Sequence, residues 1–227
     1  MKPFAAKRVV NVRGAVRFIR VGIWLAAVMG LVGLVHAADG RPDNVFIYPP
    51  ALSANLQRVV MLPLTSESQS AGLSEGCEAL QPILLEELEK SKRFEVVAAN
   101  ASVLRGGSGR LAWTGAEELP ADFFGSLKRE YGCDGVLFCQ LTVFKAYGSP
   151  VIGWRLKLVD ARTREILWAV DQVFDANDVV AAKKPWQFLR GPEKSDAIDE
   201  IRWEVLNSPR QFGRYTVAKV LETLPKR

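Results

Sequence analysis

The chain has 227 residues, a formal net charge of +5 and a single histidine, His36. Residues 1–37 hold Lys2, Lys7, Arg8, Arg13, Arg17 and Arg20 and no acid, so the chain's +5 less the leader's +6 leaves −1 for residues 38–227. Overall basicity therefore gives no ground for nucleic-acid binding. Loss of a leader containing His36 excludes Ser-His-Asp and Cys-His catalysis, HExxH metal sites and histidine proton shuttling.

Residues 1–37 read as a signal peptide. A basic stretch ending at Arg20 precedes the uncharged run Val21 to Val35, and Val35-His36-Ala37 places small side chains at −3 and −1 of a cleavage site. The run is shorter than the roughly 20 residues a spanning helix needs. The alternative is an uncleaved inner-membrane anchor over residues 18–38, which would be the chain's only membrane contact. Cleavage at Ala38 implies a periplasmic or cell-envelope location. Cys77, Cys133 and Cys139 are an odd set for an oxidising compartment. Cys133 and Cys139, read as lying on one strand, would stand roughly 20 Å apart, too far for a disulfide. The expected role of all three is small buried hydrophobe, and nothing in their spacing calls for a metal or cofactor.

Residues 38–57, with Pro42, Pro49 and Pro50, form an extended lead-in that Val45, Phe46, Ile47 and Tyr48 lay against the domain. The domain itself spans 58–227. Arg58 to Leu64 is an apolar run suited to a buried strand. Leu73, Cys77, Leu80, Leu84 and Leu88 then mark one helix face, with Glu86, Glu87 and Lys90 elsewhere on it, and Pro82 predicts a kink or a restart. Phe94 to Val97 is a short strand. Gly106 to Gly109 makes a flexible tip without the Lys-Ser/Thr pair of a phosphate loop, and Trp113 and Leu119 tuck back onto the core. Phe123, Leu127 and Tyr131 space as a helix stopped by Gly132, and Gly135 to Phe144 is apolar on nearly both faces, hence a central strand.

Ile152, Trp154, Leu156 and Leu158 alternate with polar residues or glycine. Beyond the turn Asp160 to Glu165, Ile166, Trp168, Val170 and Phe174 return as the second arm of an antiparallel hairpin, with a bulge or strand end expected at Gln172. Asp178 to Lys184 and Ile198 to Val205 read as short helices. Ser208-Pro209 is an N-cap with proline in the first turn, and Phe212, Thr216, Val220 and Leu224 mark the inner face of a last helix. The order of elements is α/β: a single layered domain with a mixed sheet, a C-terminal hairpin in the sheet and a final packing helix.

Arg58-Val59-Val60-Met61-Leu62-Pro63-Leu64 resembles the opening strand of bacterial envelope domains related to the curli secretion protein CsgG and the N-terminal domain of TolB. Leu84 to Val97, with Arg93-Phe94 leading the strand, is similar to their helix–strand unit. Tyr131-Gly132-Cys133-Asp134-Gly135-Val136-Leu137 and Leu158 to Ala169 resemble their approach to the central strand and their hairpin. The resemblance covers about residues 58–175 and extends to lipoprotein activators of cell-wall synthases, which implies an envelope domain without catalysis. The chain lacks a lipobox cysteine and the paired amphipathic strands of a pore.

Among candidate sites, Asp160 and Asp171 are brought together by the hairpin, and a carboxylate pair suits acid–base work. The plainer reading makes Asp160 a turn residue, Asp171 an exposed strand residue and Asp134 a capping residue before a strand. Arg155 and Lys157, with Lys183 and Lys184, would form a basic patch for anionic glycan or lipid, the plainer reading being a solvated face. Trp186 and Phe188 beside Lys183 and Lys184 have the composition of a partner anchor, with core packing the plainer reading for Trp186. The sequence thus points to an exported, non-catalytic envelope protein acting through protein partners in assembly, secretion or cell-wall machinery. Its alternatives are a carboxylate-based hydrolase or transferase and a subunit of an oligomeric secretion assembly.

Overall fold

The computed structural model describes residues 44–66, 68, 70–100, 104, 113, 114, 116, 118–181 and 208–227. Their strands are β1 (Val45–Ile47), β2 (Arg58–Met61), β3 (Thr65–Ser66), β4 (Glu95–Ala98), β5 (Gly135–Lys145), β6 (Val151–Asp160) and β7 (Ile166–Asp175). Their helices are α1 (Ala71–Ser91), α2 (Phe123–Tyr131), α3 (Ala176–Ala181) and α4 (Pro209–Leu221). The strands form one open mixed sheet in the order β1-β7-β6-β5-β2-β4, with β3 beside β5. β4, β2 and β5 run parallel, whereas β5, β6, β7 and β1 pair antiparallel.

The apolar run at the start of the domain divides between the two faces. Val59 and Met61 join a core under α1 and α4, while Val60 and Leu62 join a second core with Phe123, Phe124 and Leu127 of α2. A strand whose residues are buried on both sides must be apolar throughout, which is why this one reads as a run rather than an alternation. The expected single strand to Leu64 is interrupted at Pro63. Pro63 has no N–H to give the ladder, and the next amide, Leu64 N, donates to Gln81 Oε1 at 2.9 Å.

α1 runs through Pro82 without a break, against the expectation of a kink or restart. The ring is exposed, and so is Glu78, whose carbonyl loses its helical partner, so the missing bond falls on the solvent side. The buried face follows the expected Leu80, Leu84 and Leu88 but also takes in Glu87. Two glycines set how closely the helices approach. A Cβ on Gly76 would lie 2.5 Å from Phe144 of β5, and one on Gly213 of α4 would lie 2.4 Å from Leu80 of α1.

The hairpin is as the alternation requires. Trp154, Leu156 and Leu158 of β6 face Gln172, Val170 and Trp168 of β7 on the α1/α4 side. The register shift lies between Leu158 and Val159, opposite Leu167, and not at Gln172, where β7 continues unbroken opposite Trp154. That one-residue shift carries Ile166 to the opposite face, where it is exposed, and Leu167 takes the core place expected of it. Trp154 Nε1 donates to Thr216 Oγ1 at 2.9 Å and Trp168 Nε1 to Thr223 Oγ1 at 3.0 Å. Each hydroxyl in turn donates one turn back, to Gly213 O and Val220 O. Both buried indoles are thereby satisfied by the C-terminal segment that covers them.

Ser208 caps α4, its Oγ accepting from Gln211 N at 3.4 Å, with Pro209 in the first turn, and Gly132 ends α2 in the left-handed conformation. Trp113 is buried in the α2 core, and Leu119 packs against it. The lead-in joins the sheet as β1, where Val45 packs inward while Phe46, Ile47 and Tyr48 are exposed; further on, Leu52 and Leu56 are buried in the core. α3 starts two residues before the expected helix. The expected helix at 198–205 and the glycine tip at 106–109 lie outside the described residues.

Candidate functional site

Among the described residues, charged side chains line two clefts. The first, about 220 Å³, opens where β5 begins and β6 ends, and Ser53, Asn55, Lys128, Asp134, Asp160 and Arg162 are among its walls. Asp134 stands in the two residues between the α2 cap, Gly132, and β5. Its Oδ2 accepts from Gln57 N and Arg58 N, each at 3.0 Å, its own N–H donates to Arg58 O, and its carbonyl accepts from Ala161 N. One residue thus ties the lead-in, β2, β5 and the hairpin turn together. Asp160 Oδ1 accepts from Arg162 N and Thr163 N, both at 2.8 Å, an Asx turn that lets Arg164 adopt a φ of 64°.

Asp160 and Asp171 are not brought together as expected. Asp171 lies five residues along β7 from the turn end, about 17 Å at strand rise. The register sets it opposite Arg155, and Arg155 Nε donates to Asp171 Oδ2 at 2.7 Å. The carboxylate that shares a cleft with Asp160 is Asp134, a pairing visible only once Gly135 is seen opposite Asp160. The basic patch expected at Arg155 and Lys157 is reduced by the same ion pair. Lys183, Lys184, Trp186 and Phe188 lie outside the described residues.

The second cleft, about 320 Å³, lies between α1 and α4 and is lined by Ala79, Pro82, Ile83, Glu86, Arg210, Gln211 and Arg214. Arg214 Nη2 meets Glu86 Oε2 at 2.7 Å and Nε lies 3.4 Å from Glu87 Oε1, while Lys90 Nζ meets Glu86 at 2.7 Å and Glu87 at 2.9 Å. Glu87, expected off the apolar face of the helix, is only 9% exposed. Two cations from two helices make that burial tolerable. Lys90 first, and then Arg214, hold the Glu86 carboxyl below the ordinary carboxylate range against a smaller opposing effect of desolvation. The spacing Glu86–Lys90 was readable as a helical i,i+4 pair, but nothing in the sequence signals Arg214 as its partner 128 residues away.

The chemistry open to these groups is limited. Cys133 and Cys139 are buried, Cys77 is half-buried, and all three thiols are free. Burial raises the pKa of each, that of Cys77 to about 11, so near neutral pH they are thiols and not nucleophilic thiolates. Among the described residues no group of three or more His, Cys, Asp or Glu is placed to hold a metal ion. No helix of the described residues is long and apolar enough to cross a membrane.

No family model and no curated protein matches the chain. Thirty-seven chains of solved structures do. The PelC dodecamer from Paraburkholderia phytofirmans is 15% identical, with 81% of this chain and 96% of that one covered and a TM-score of 0.44. Lipoprotein GNA1162 from Neisseria meningitidis is 18% identical over 66% of this chain and 94% of its own, with a TM-score of 0.38. The C-terminal domain of LpoB from Escherichia coli is 17% identical over 52% and 82%, with a TM-score of 0.33. None of these three is a CsgG or TolB protein, and at these identities and TM-scores they assign this chain neither a family nor a role.

Proposed function

We propose that this chain is an exported, non-catalytic protein of the bacterial envelope that acts through contacts with protein partners in assembly, secretion or cell-wall machinery. The observation that supports this reading is how the three candidate carboxylates are used. Asp134 and Asp160 each give an oxygen to two backbone N–H groups, and Asp171 is paired with Arg155. A carboxylate engaged in this way fixes chain geometry, a structural use that accounts for its position without catalysis. The sequence assigns the partner surface to Lys183, Lys184, Trp186 and Phe188, which follow α3 in the chain.

Crosslinking in the native cell followed by mass spectrometry tests the reading. Discrete envelope proteins should be captured, and Lys183→Glu with Lys184→Glu, or Trp186→Ala, should weaken the capture at unchanged thermal stability. Capture that ignores all three substitutions moves the surface elsewhere. Turnover of a peptide, ester, phosphate or glycan substrate, abolished by Asp134→Asn or Asp160→Asn in a stably folded variant, replaces the reading with an enzyme.

A further inference from the structure

The two edges of the sheet are finished differently. At the β4 edge Glu95 holds Arg58 of the neighbouring strand in a 2.8 Å ion pair, and Val96 and Val97 are partly buried. At the other edge β1 carries Phe46, 51% exposed, and Ile47, 44% exposed, with Tyr48 at 60% just beyond. A free row of N–H and C=O groups templates another strand unless charge, proline, cover or shortness of the strand guards it; β1 carries no charge within its three residues, and Pro49 and Pro50 stand beyond them.

The hydrogen-bond phase of β1 is fixed by two bonds. Tyr48 N donates to Leu167 O at 3.0 Å and Asp171 N donates to Asn44 O at 3.1 Å. Antiparallel ladders alternate bonded and non-bonded pairs. Asn44, Phe46 and Tyr48 therefore turn their backbone groups toward β7, and Val45 and Ile47 turn both of theirs outward, in the register Val45↔Val170 and Ile47↔Trp168. The free edge thus offers two N–H groups and two C=O groups, one residue apart.

From this edge we infer that β1 pairs with β1 of a second copy of the chain, antiparallel about a two-fold axis through Phe46. In that register Val45 and Ile47 of one copy face Ile47 and Val45 of the other, and all four outward-facing residues form reciprocal bonds. Phe46 meets its own copy as the close, non-bonded pair on one face of the sheet, and Ile47 meets Val45 on the other. The neighbouring registers fail on this sequence. Centring on Val45 sets Phe46 against Asn44, and centring on Ile47 sets Val45 against Pro49, which has no N–H to give. A shift to an axis between residues opposes outward-bonding positions to inward-bonding ones. The second copy is the occupant whose strand is known to match this edge in phase and in side chain. This goes beyond the proposed function, since a partner can be bound with or without self-pairing.

Light scattering on the chain as isolated from cells, together with mild oxidation of cysteine variants, tests the pairing. The expected result is a dimer at micromolar concentration that becomes monomeric in Val45→Pro, because that substitution removes an outward N–H and leaves the bonds to β7 in place. Phe46→Cys should give a disulfide-linked dimer, the close antiparallel pair having Cα atoms about 4.5 Å apart, within disulfide range. Tyr48→Cys, several residues from its symmetry mate, should give no more than the parent chain. A chain that is monomeric throughout the micromolar range overturns the pairing, whatever else it captures. So does a dimer that survives Val45→Pro or links through position 48 and not 46.

Discussion

The parallel and the antiparallel halves of the sheet solve the burial problem differently. β2 and the first half of β5 are buried on both faces, under α1 on one side and α2 on the other, and their sequences are continuous apolar runs. In β6, β7 and β1 the described residues bury mainly the face beneath α1 and α4, with Val159 at the end of β6 joining the α2 core. On the other face Val143, Val173, Ile166 and Phe46 are exposed around the Arg155–Asp171 pair. The parallel half is scaffold. The antiparallel half offers surface, and the difference locates where contacts with other chains are to be sought.

The largest test of this division is Trp168→Ala. It removes a fully buried indole and the hydrogen bond that Thr223 accepts from it, so a loss of about 3–5 kcal/mol is expected, the usual range for truncating a buried large aromatic. Denaturant unfolding reads it, and a loss no larger than that of an exposed residue would put Trp168 outside the core. Next, Gly213→Ala drives a methyl into Leu80, and overpacking of this kind costs about 1–3 kcal/mol. Asp134→Ala strands the Gln57 and Arg58 amides, and a loss of about 1–3 kcal/mol is expected from two unpaired donors, less whatever water supplies.

These expectations also show what the sequence made legible. The hairpin, its two tryptophans, the Gly132 cap and the Ser208-Pro209 start are local patterns, a period of two or a residue with one conformational use, and each is found where the pattern placed it. What escaped depended on groups distant in the chain. Glu87 is buried because Arg214 reaches it, and Pro82 sits in an unbroken helix because its face is exposed. The misreading of Ile166 came from a bulge, which no alternation pattern reveals in advance.

On the exposed face the effects should be small. Val173→Thr should change stability by no more than about 0.5 kcal/mol, the usual range for an isolated surface position. A loss as large as that of Trp168→Ala would mean that this face too is core. Smallest of all is the acid limb of the α1–α4 charge network. Because Glu86 is held below its ordinary value, the stability it contributes is present above the unfolded carboxylate pKa of about 4.3. It is lost as pH falls through the lowered folded value. Lys90→Met should flatten that part of the melting-temperature profile, and an unchanged profile would remove Glu86 from the ledger of acid sensitivity.

The division of the sheet is tested most directly by photo-crosslinking in the native cell, with the reactive group placed at Val173 on the open antiparallel face or at Glu130 on the exposed side of α2. Protein adducts are expected from position 173 and none above background from position 130. Adducts from 130 with none from 173 would contradict it, placing the contact surface on the half assigned to scaffold.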